Sequence, residues 1–392
     1  MIYHIFEALK DYNIPGQGLM DYISFRAVMS CVTALLVGIF GGEKIIRRLR
    51  KLQIGEDIRD LGLQGQMEKK GTPTMGGLII LLSLLTGVLL WCDLTNRFII
   101  ILILSAIWCS GIGFLDDYIK VHKHDKHGLS EKKKLILQTL LGLGVALAVW
   151  YSDSELGTTT TIPFVKNNEF DYKWLTPFTG AWEWYTKWAI YMVMITIVVV
   201  ACSNGTNLSD GIDGLAGGNS AIVGVVLGIF AYLGGNVINS HYLNIMYIPE
   251  SGEIAVYMAA FVGALIAFLW YNSYPAQVFM GDTGSLPLGG IIAVAALIIR
   301  KELLLPILCG IFFVESLSVI IQTTYFKYTK RKYGEGRRVF KMSPLHHHFQ
   351  KSGIPALIQS PARPIPEAKI VVRFWIIAIL LCIMTIITLK IR

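Results

Sequence analysis

Ten apolar stretches divide this 392-residue chain, and they constrain its fold more than any other feature. They lie near 22–42, 76–92, 97–115, 135–151, 185–203, 215–234, 254–271, 284–299, 303–325 and 371–389. Most are about 17–22 residues long, the length an α-helix needs to cross roughly 30 Å of hydrocarbon. The eighth is short, and only Arg300-Lys301-Glu302 separates it from the ninth. With 54% hydrophobic and only 16% charged residues, a soluble globular protein is excluded. The expectation is an all-α integral membrane protein of about ten spans, forming one polytopic domain over 1–392. Six cysteines lie singly in or beside the apolar blocks with no CxxC spacing, so neither disulfides nor zinc are expected. The N-terminal MIYHIFEALKDYN lacks a basic stretch leading into an apolar core, so the first block is expected to be the anchor itself.

Lys and Arg set the orientation. Three loops, 43–72, 116–134 and 326–373, hold 25 of the 35 basic residues. They are expected in the cytoplasm, with both termini in the periplasm. The net charge of +8 is then mostly a topology signal with some pull toward anionic lipid, and no nucleic-acid partner is needed. Segment 152–184 reads as a polar external loop, and 352–368 as a Pro-rich irregular stretch. Glycine pairs are expected to open three spans: Gly76-Gly77, Gly217-Gly218 and Gly289-Gly290.

Given this topology, Asp116, Asp117, Asp210, Asp213 and Asp282 all fall at cytoplasmic helix ends. The loops concerned lie near 43–75, 116–134, 203–214, 272–285 and 326–370. Adjacent Asp116 and Asp117, in GIGFLDDYIK, repel each other, so they either bind a cation or one accepts a proton. A solvated helix end beside Lys120 is the bland alternative. In SNGTNLSDGIDGLAGG, Asn204, Asn207, Asp210 and Asp213 accompany Gly211 and Gly214 at a helix start, which suits a phosphate or a base edge. A simple Asp-capped turn would need only one of these polar residues. In YNSYPAQVFMGDTGSLPLGG, Asp282 sits between glycines, with Asn272, Phe279 and Ser285 nearby. Phe279 could stack on a ring or simply pack.

Oxygen donors without soft ligands indicate Mg²⁺ or Mn²⁺, the usual partner of carboxylates and lysines around a diphosphate. Lys69, Lys70 and Thr74 could touch that phosphate, although lysines in a basic loop also mark topology alone. In SPLHHHF, His346, His347 and His348 point about 100° apart on a helix, which disfavours a shared metal. Phosphate contact or helix positioning is favoured instead. Glu315 is an intramembrane acid and a functional candidate without an assigned role.

KKGTPTMGG, FLDDY, GLSEKKK, NLSDGIDGLAGG, FLWYNSYPAQVFMGDTGSLPLGG, VESLSVIIQ, MSPLHHHF and VVRFW together resemble the polyprenyl-phosphate N-acetylhexosamine-1-phosphate transferases. The resemblance runs from residue 69 to the last block. It implies ten spans in the bacterial inner membrane, a homodimer, Mg²⁺, undecaprenyl phosphate as acceptor and UMP as product. The SPLHHHF segment leans toward members using UDP-MurNAc-pentapeptide. By motif position, the resemblance makes Asp282 the Mg²⁺ ligand with Asp117 beside it, and Asp116 the base for the lipid phosphate. Asp117 and Asp210 would support the metal-diphosphate site, with Lys69, Thr74 and Lys134 as further site residues and Asn204 and Asn207 on the same surface. The uridine pocket would involve Gly211, Ile212, Asp213, Asn272, Phe279 and Gln322, and Ser285 is counted with the substrate-binding residues. His346 is counted with the catalytic candidates, and His347 and His348 with the substrate-binding ones, near the donor's sugar-peptide end. Loops 152–184, 234–253 and 352–368 look longer than is usual in the family, without removing a motif residue. Two other readings are an ion-coupled transporter, disfavoured because its ionisable sites would lie near the midplane, and a sister transferase using UDP-GlcNAc.

Overall fold

The structure is a computed structural model, and it describes residues 1–12, 15–52, 71–122, 128–152, 157–163 and 169–388. Lys69 and Lys70 lie outside the described residues. The helices in chain order are α1 (Ile2–Ala8), α2 (Ile23–Lys51), α3 (Gly77–Trp91), α4 (Arg97–His122), α5 (Glu131–Ser152), α6 (Ala181–Ser209) and α7 (Leu215–Gly234). There follow α8 (Val237–Leu243), α9 (Gly252–Asn272), α10 (Asp282–Ile298), α11 (Leu305–Leu308), α12 (Gly310–Tyr333), α13 (Leu345–Gln350) and α14 (Glu367–Ile387). Between α5 and α6, β1 (Thr159–Thr161) pairs antiparallel with β2 (Glu169–Asp171), within the segment read from the sequence as a polar external loop.

Every apolar block is helical, but span counting gives a coarser answer than ten. Among the described residues, seven helices are long and apolar enough to cross a membrane, or eight if α11 and α12 count as one span bent by 77°. α3 and α10 are shorter, with 15 and 17 residues. The chain is therefore a mostly helical, multi-pass membrane protein. α2 continues nine residues past its apolar block to Lys51, because Glu, Lys and Arg are good helix formers and Arg48, Arg50 and Lys51 complement the negative end of the helix.

α10 is apolar on all sides and buried along almost its whole length, so it must be central. It packs against α4, α6, α7 and α3, while α9 packs against α2, α7 and α3. Small residues permit this crowding. A Cβ at Gly113 on α4 would overlap the Asp282 backbone, and one at Gly77 would overlap the backbone of Gly284. Gly76 and Gly77 open α3, and Gly217-Gly218 lie in the first turn of α7. The third pair departs from expectation. Because α10 already starts at Asp282, Gly289 and Gly290 lie two turns inside it, where they make room for Cys202 of α6 and Cys109 of α4.

Candidate active site

Five helix ends converge at the start of α10: the C-termini of α4 and α6 and the N-termini of α3, α5 and α10 itself. Gly281, just before α10, has φ of +69°, and a Cβ there would lie 2.5 Å from Asp117 Oδ2 and 2.9 Å from Thr74 Oγ1. Only glycine suits both constraints. Asp117 then caps α10 from a different helix. It accepts hydrogen bonds from the backbone N–H groups of Asp282 (3.2 Å) and Thr283 (2.9 Å) and from Thr283 Oγ1 (2.6 Å). A carboxylate at this position satisfies orphan donors and meets the positive end of the helix. The TPTMGG segment is held by backbone pairing to 279–280: Phe279 N–H donates to Pro73 O (2.8 Å), and Gly76 N–H to Phe279 O (2.8 Å). That pairing brings buried Thr74 beside Asp117.

Asp282 projects from the first residue of α10. Its Oδ1 accepts from Asn207 Nδ2 (2.8 Å), which also donates to Ser285 Oγ (2.9 Å). Its Oδ2 lies 2.6 Å from Lys134 Nζ and 3.7 Å from Lys120 Nζ. Fully buried Asp116 pairs with both lysines, at 2.9 Å from Lys134 and 2.6 Å from Lys120, and accepts from Leu129 N–H (2.7 Å). One oxygen from each of Asp116, Asp117 and Asp282 lies within 4.8 Å of the others, and this is the single such group among the described residues. The donor set is all oxygen, which fits a hard divalent cation. Three carboxylates face two ammonium groups, so one negative charge is left for such a cation.

Around this centre the expected residues divide. Asp116, Asp117, Asp282, Thr74, Lys134, Asn207 and Ser285 are brought together. Asp210 and Asp213 lie instead on the turn joining α6 to α7. There Asp213 Oδ2 accepts from Ala276 N–H (3.0 Å), and its own N–H donates to Glu367 Oε1 (2.7 Å). Asn272 ties that turn to the next segment, accepting from Gly214 N–H (2.9 Å) and donating to Val278 O (2.9 Å). Asn204 donates to Gln138 Oε1 (2.8 Å), one turn from Asn207. Gln322 Oε1 accepts from the N–H groups of Val339 (3.1 Å) and Phe340 (2.9 Å), which anchors the loop before α13. Buried Ile212 packs with Leu215, Ile311 and Phe374, while Gly211 is exposed and Phe279 half-buried.

The three histidines of α13 face three different surroundings. His346 Nδ1 lies 3.1 Å from Glu315 Oε2 on α12. His347 Nδ1 lies 2.8 Å from Gln350 Oε1. His348 is buried: its Nδ1 accepts from Lys341 N–H (3.1 Å), so Nε2 carries the hydrogen that meets Ser360 O (2.7 Å). The Pro-rich stretch folds back here, with Leu357 and Ile358 donating to Arg338 and Val339 carbonyls (both 2.9 Å).

Lys120, Thr283, Gln138 and Glu367 join these networks without having been singled out. Lys120 was legible in principle, one helical turn after Asp116 and on its face. Glu367, 154 residues from Asp213, carried no local signal.

Comparison with known proteins identifies the family. The glycosyl transferase family 4 model matches residues 99–300, and a phospho-N-acetylmuramoyl-pentapeptide-transferase signature matches residues 69–81. The chain is 51% identical over 419 aligned positions to the phospho-N-acetylmuramoyl-pentapeptide-transferase of Parabacteroides distasonis, covering 100% of both chains. It is 52% identical to that of Azobacteroides pseudotrichonymphae and 50% identical to that of Flavobacterium psychrophilum, again over 100% of each chain. The chain thus belongs to glycosyl transferase family 4 and, within it, to the phospho-N-acetylmuramoyl-pentapeptide-transferases.

Proposed function

We infer that this chain transfers phospho-N-acetylmuramoyl-pentapeptide from UDP-MurNAc-pentapeptide to undecaprenyl phosphate, giving lipid I and UMP for peptidoglycan synthesis. One observation carries the reading: three carboxylates and two lysines meet at the end of a buried helix in a chain half identical, along its whole length, to enzymes of that name.

The lipid phosphate oxygen attacks the donor's β-phosphorus. A new O–P bond forms, the bond from the β-phosphorus to the bridging oxygen breaks, and UMP leaves with that oxygen. Asp116 takes the proton of the incoming phosphate where it carries one. Asp282 and Asp117 would hold Mg²⁺, which would neutralise charge on the diphosphate, with Asp210 supporting that diphosphate from the turn between α6 and α7. Lys134 and Lys120 hold Asp116 and Asp282 in place, and Thr74 and Lys69 contact phosphate. Asn204, Asn207 and Ser285 shape the same surface. The turn Gly211–Asp213, with Asn272, Phe279 and Gln322, receives the uridine, and the helix carrying His346, His347 and His348 lies near the sugar-peptide end. The basic loops put this end of the bundle in the cytoplasm and both termini in the periplasm. The chain acts as one domain of ten spans, as a homodimer, in the bacterial inner membrane.

The decisive assay uses purified protein, Mg²⁺ and undecaprenyl phosphate with labelled UDP-MurNAc-pentapeptide or UDP-GlcNAc. Lipid-dependent UMP release is expected from the first donor alone. Equal turnover of UDP-GlcNAc would overturn the donor assignment, and release from neither would overturn the transferase reading.

A further inference from the structure

Glu315 lies on α12 and is completely buried, as is His346, 31 residues later. Its carboxylate grips that histidine twice. Oε1 accepts from the His346 backbone N–H (3.1 Å), and Oε2 meets the ring Nδ1 (3.1 Å). A carboxylate oxygen only accepts, so the hydrogen between the pair belongs to Nδ1, and in the neutral ring that arrangement leaves the lone pair on Nε2. Nε2 is itself buried and has no hydrogen-bond partner among the described residues. It points at Gly211, where even a Cβ would collide with it and would lie 2.8 Å from the neighbouring Cε1. A buried polar atom left unpaired is costly, and here it is aimed at the turn that leads into α7. His348, two residues on, is held with the opposite nitrogen protonated.

From this geometry we propose that Glu315 is a positioning residue that fixes His346 with Nε2 facing the Gly211 turn, ready to accept a hydrogen bond from an O–H or N–H of the bound nucleotide sugar. This rests on the transferase reading, in which that turn borders the donor site. Glu315 touches no substrate and acts only through His346. An intramembrane acid is expensive to keep, and among the described residues its carboxylate is taken up by this histidine.

The test combines kinetics with the tautomer of the ring. ¹⁵N spectra of the wild-type protein, with the His346 signal assigned by loss in His346→Gln, should show a neutral ring protonated at Nδ1. Glu315→Gln should shift that ring toward the other tautomer. It should also lower kcat/KM for the UDP donor about 10–100-fold, the scale seen when the partner that orients a metal-ligating histidine is removed. The KM for the polyprenyl phosphate should be unchanged, and Glu315→Asp should recover part of the loss. On a His346→Gln background the same change should cost almost nothing further, because the two act as one unit. Additive losses, or a wild-type ring protonated at Nε2 or at both nitrogens, would overturn the proposal. The wild-type spectrum decides this even if Glu315→Gln fails to fold. Wild-type protein that releases no UMP would instead overturn the function on which it rests.

Discussion

Both ends of α10 carry buried charge, and they use it in different ways. At the N-terminal end, Asp116, Asp117 and Asp282 outnumber Lys120 and Lys134, and the lysine side chains remain 35% and 19% exposed. At the other end, Arg300, Lys301 and Glu302 are 4%, 3% and 2% exposed. There the β-hairpin closes over them. Lys301 Nζ donates to Thr161 Oγ1 (2.6 Å), Arg300 to Tyr191 Oη (2.6 Å), and Tyr172 Oη to Glu302 Oε1 (3.4 Å). The Arg300 carbonyl accepts from Thr161 N–H (3.1 Å) and Thr160 Oγ1 (3.2 Å). Burial pulls the Lys301 ammonium down to about 8, although Glu302 beside it pushes the other way. Buried charge of both signs, met by hairpin and helix partners, holds a chain connection in place. Buried charge with an excess of one sign and a remaining opening is arranged for a ligand of the opposite sign. The carboxylate excess and the opening, rather than burial, mark the first end as the site.

Substitutions at the two ends should therefore fail differently. The largest effect is expected from Asp282→Asn: about a thousandfold loss of turnover, on the scale of removing a key electrostatic group, with membrane insertion and thermal stability unchanged. An activity assay run beside a melting curve checks both halves, and ordinary turnover would remove Asp282 from the metal role. Chelation of divalent cations should abolish UMP release reversibly, with Mg²⁺ restoring it and Zn²⁺ failing to do so, while the melting temperature moves little. Lys134→Ala comes next, at about a hundredfold, because one ammonium spans Asp116 and Asp282 and its loss leaves both carboxylates less compensated. The smallest kinetic effect belongs to the sealed end. Lys301→Ala should lower stability by about 2 kcal/mol, the cost of unpairing a buried charge-assisted hydrogen bond, and leave KM and kcat within about twofold at low temperature. If Lys301→Ala instead abolished turnover without lowering the melting temperature, the distinction between the two ends would fail.

How much of this was legible follows from the range over which each signal acts. Apolar blocks announce their helices because helix formation in lipid depends on local composition alone. They do not announce their ends, so the Glu43–Lys51 continuation of α2 and the start of α10 at Asp282 needed the structure. The carboxylate site was legible as a set, since acids in glycine-rich junctions at one end of several spans are a chain-wide pattern. Its membership was less so. Asp210 was read from its helix-end position and its motif, whereas the three-acid group is Asp116, Asp117 and Asp282, with Lys120 beside it.

The sequence alone determined the membrane helices, the orientation bias and the types of oxygen and ammonium groups that gather at one face, because composition and periodicity act over a few residues. Tertiary structure alone decided that Asp117 caps α10, that Glu367 reaches Asp213, that Glu315 turns His346 toward Gly211 and that a hairpin seals Lys301. Each of these is a contact between segments up to 166 residues apart. Such a contact depends on how closely two helices approach, and that distance is set by glycines and packing that no single segment encodes.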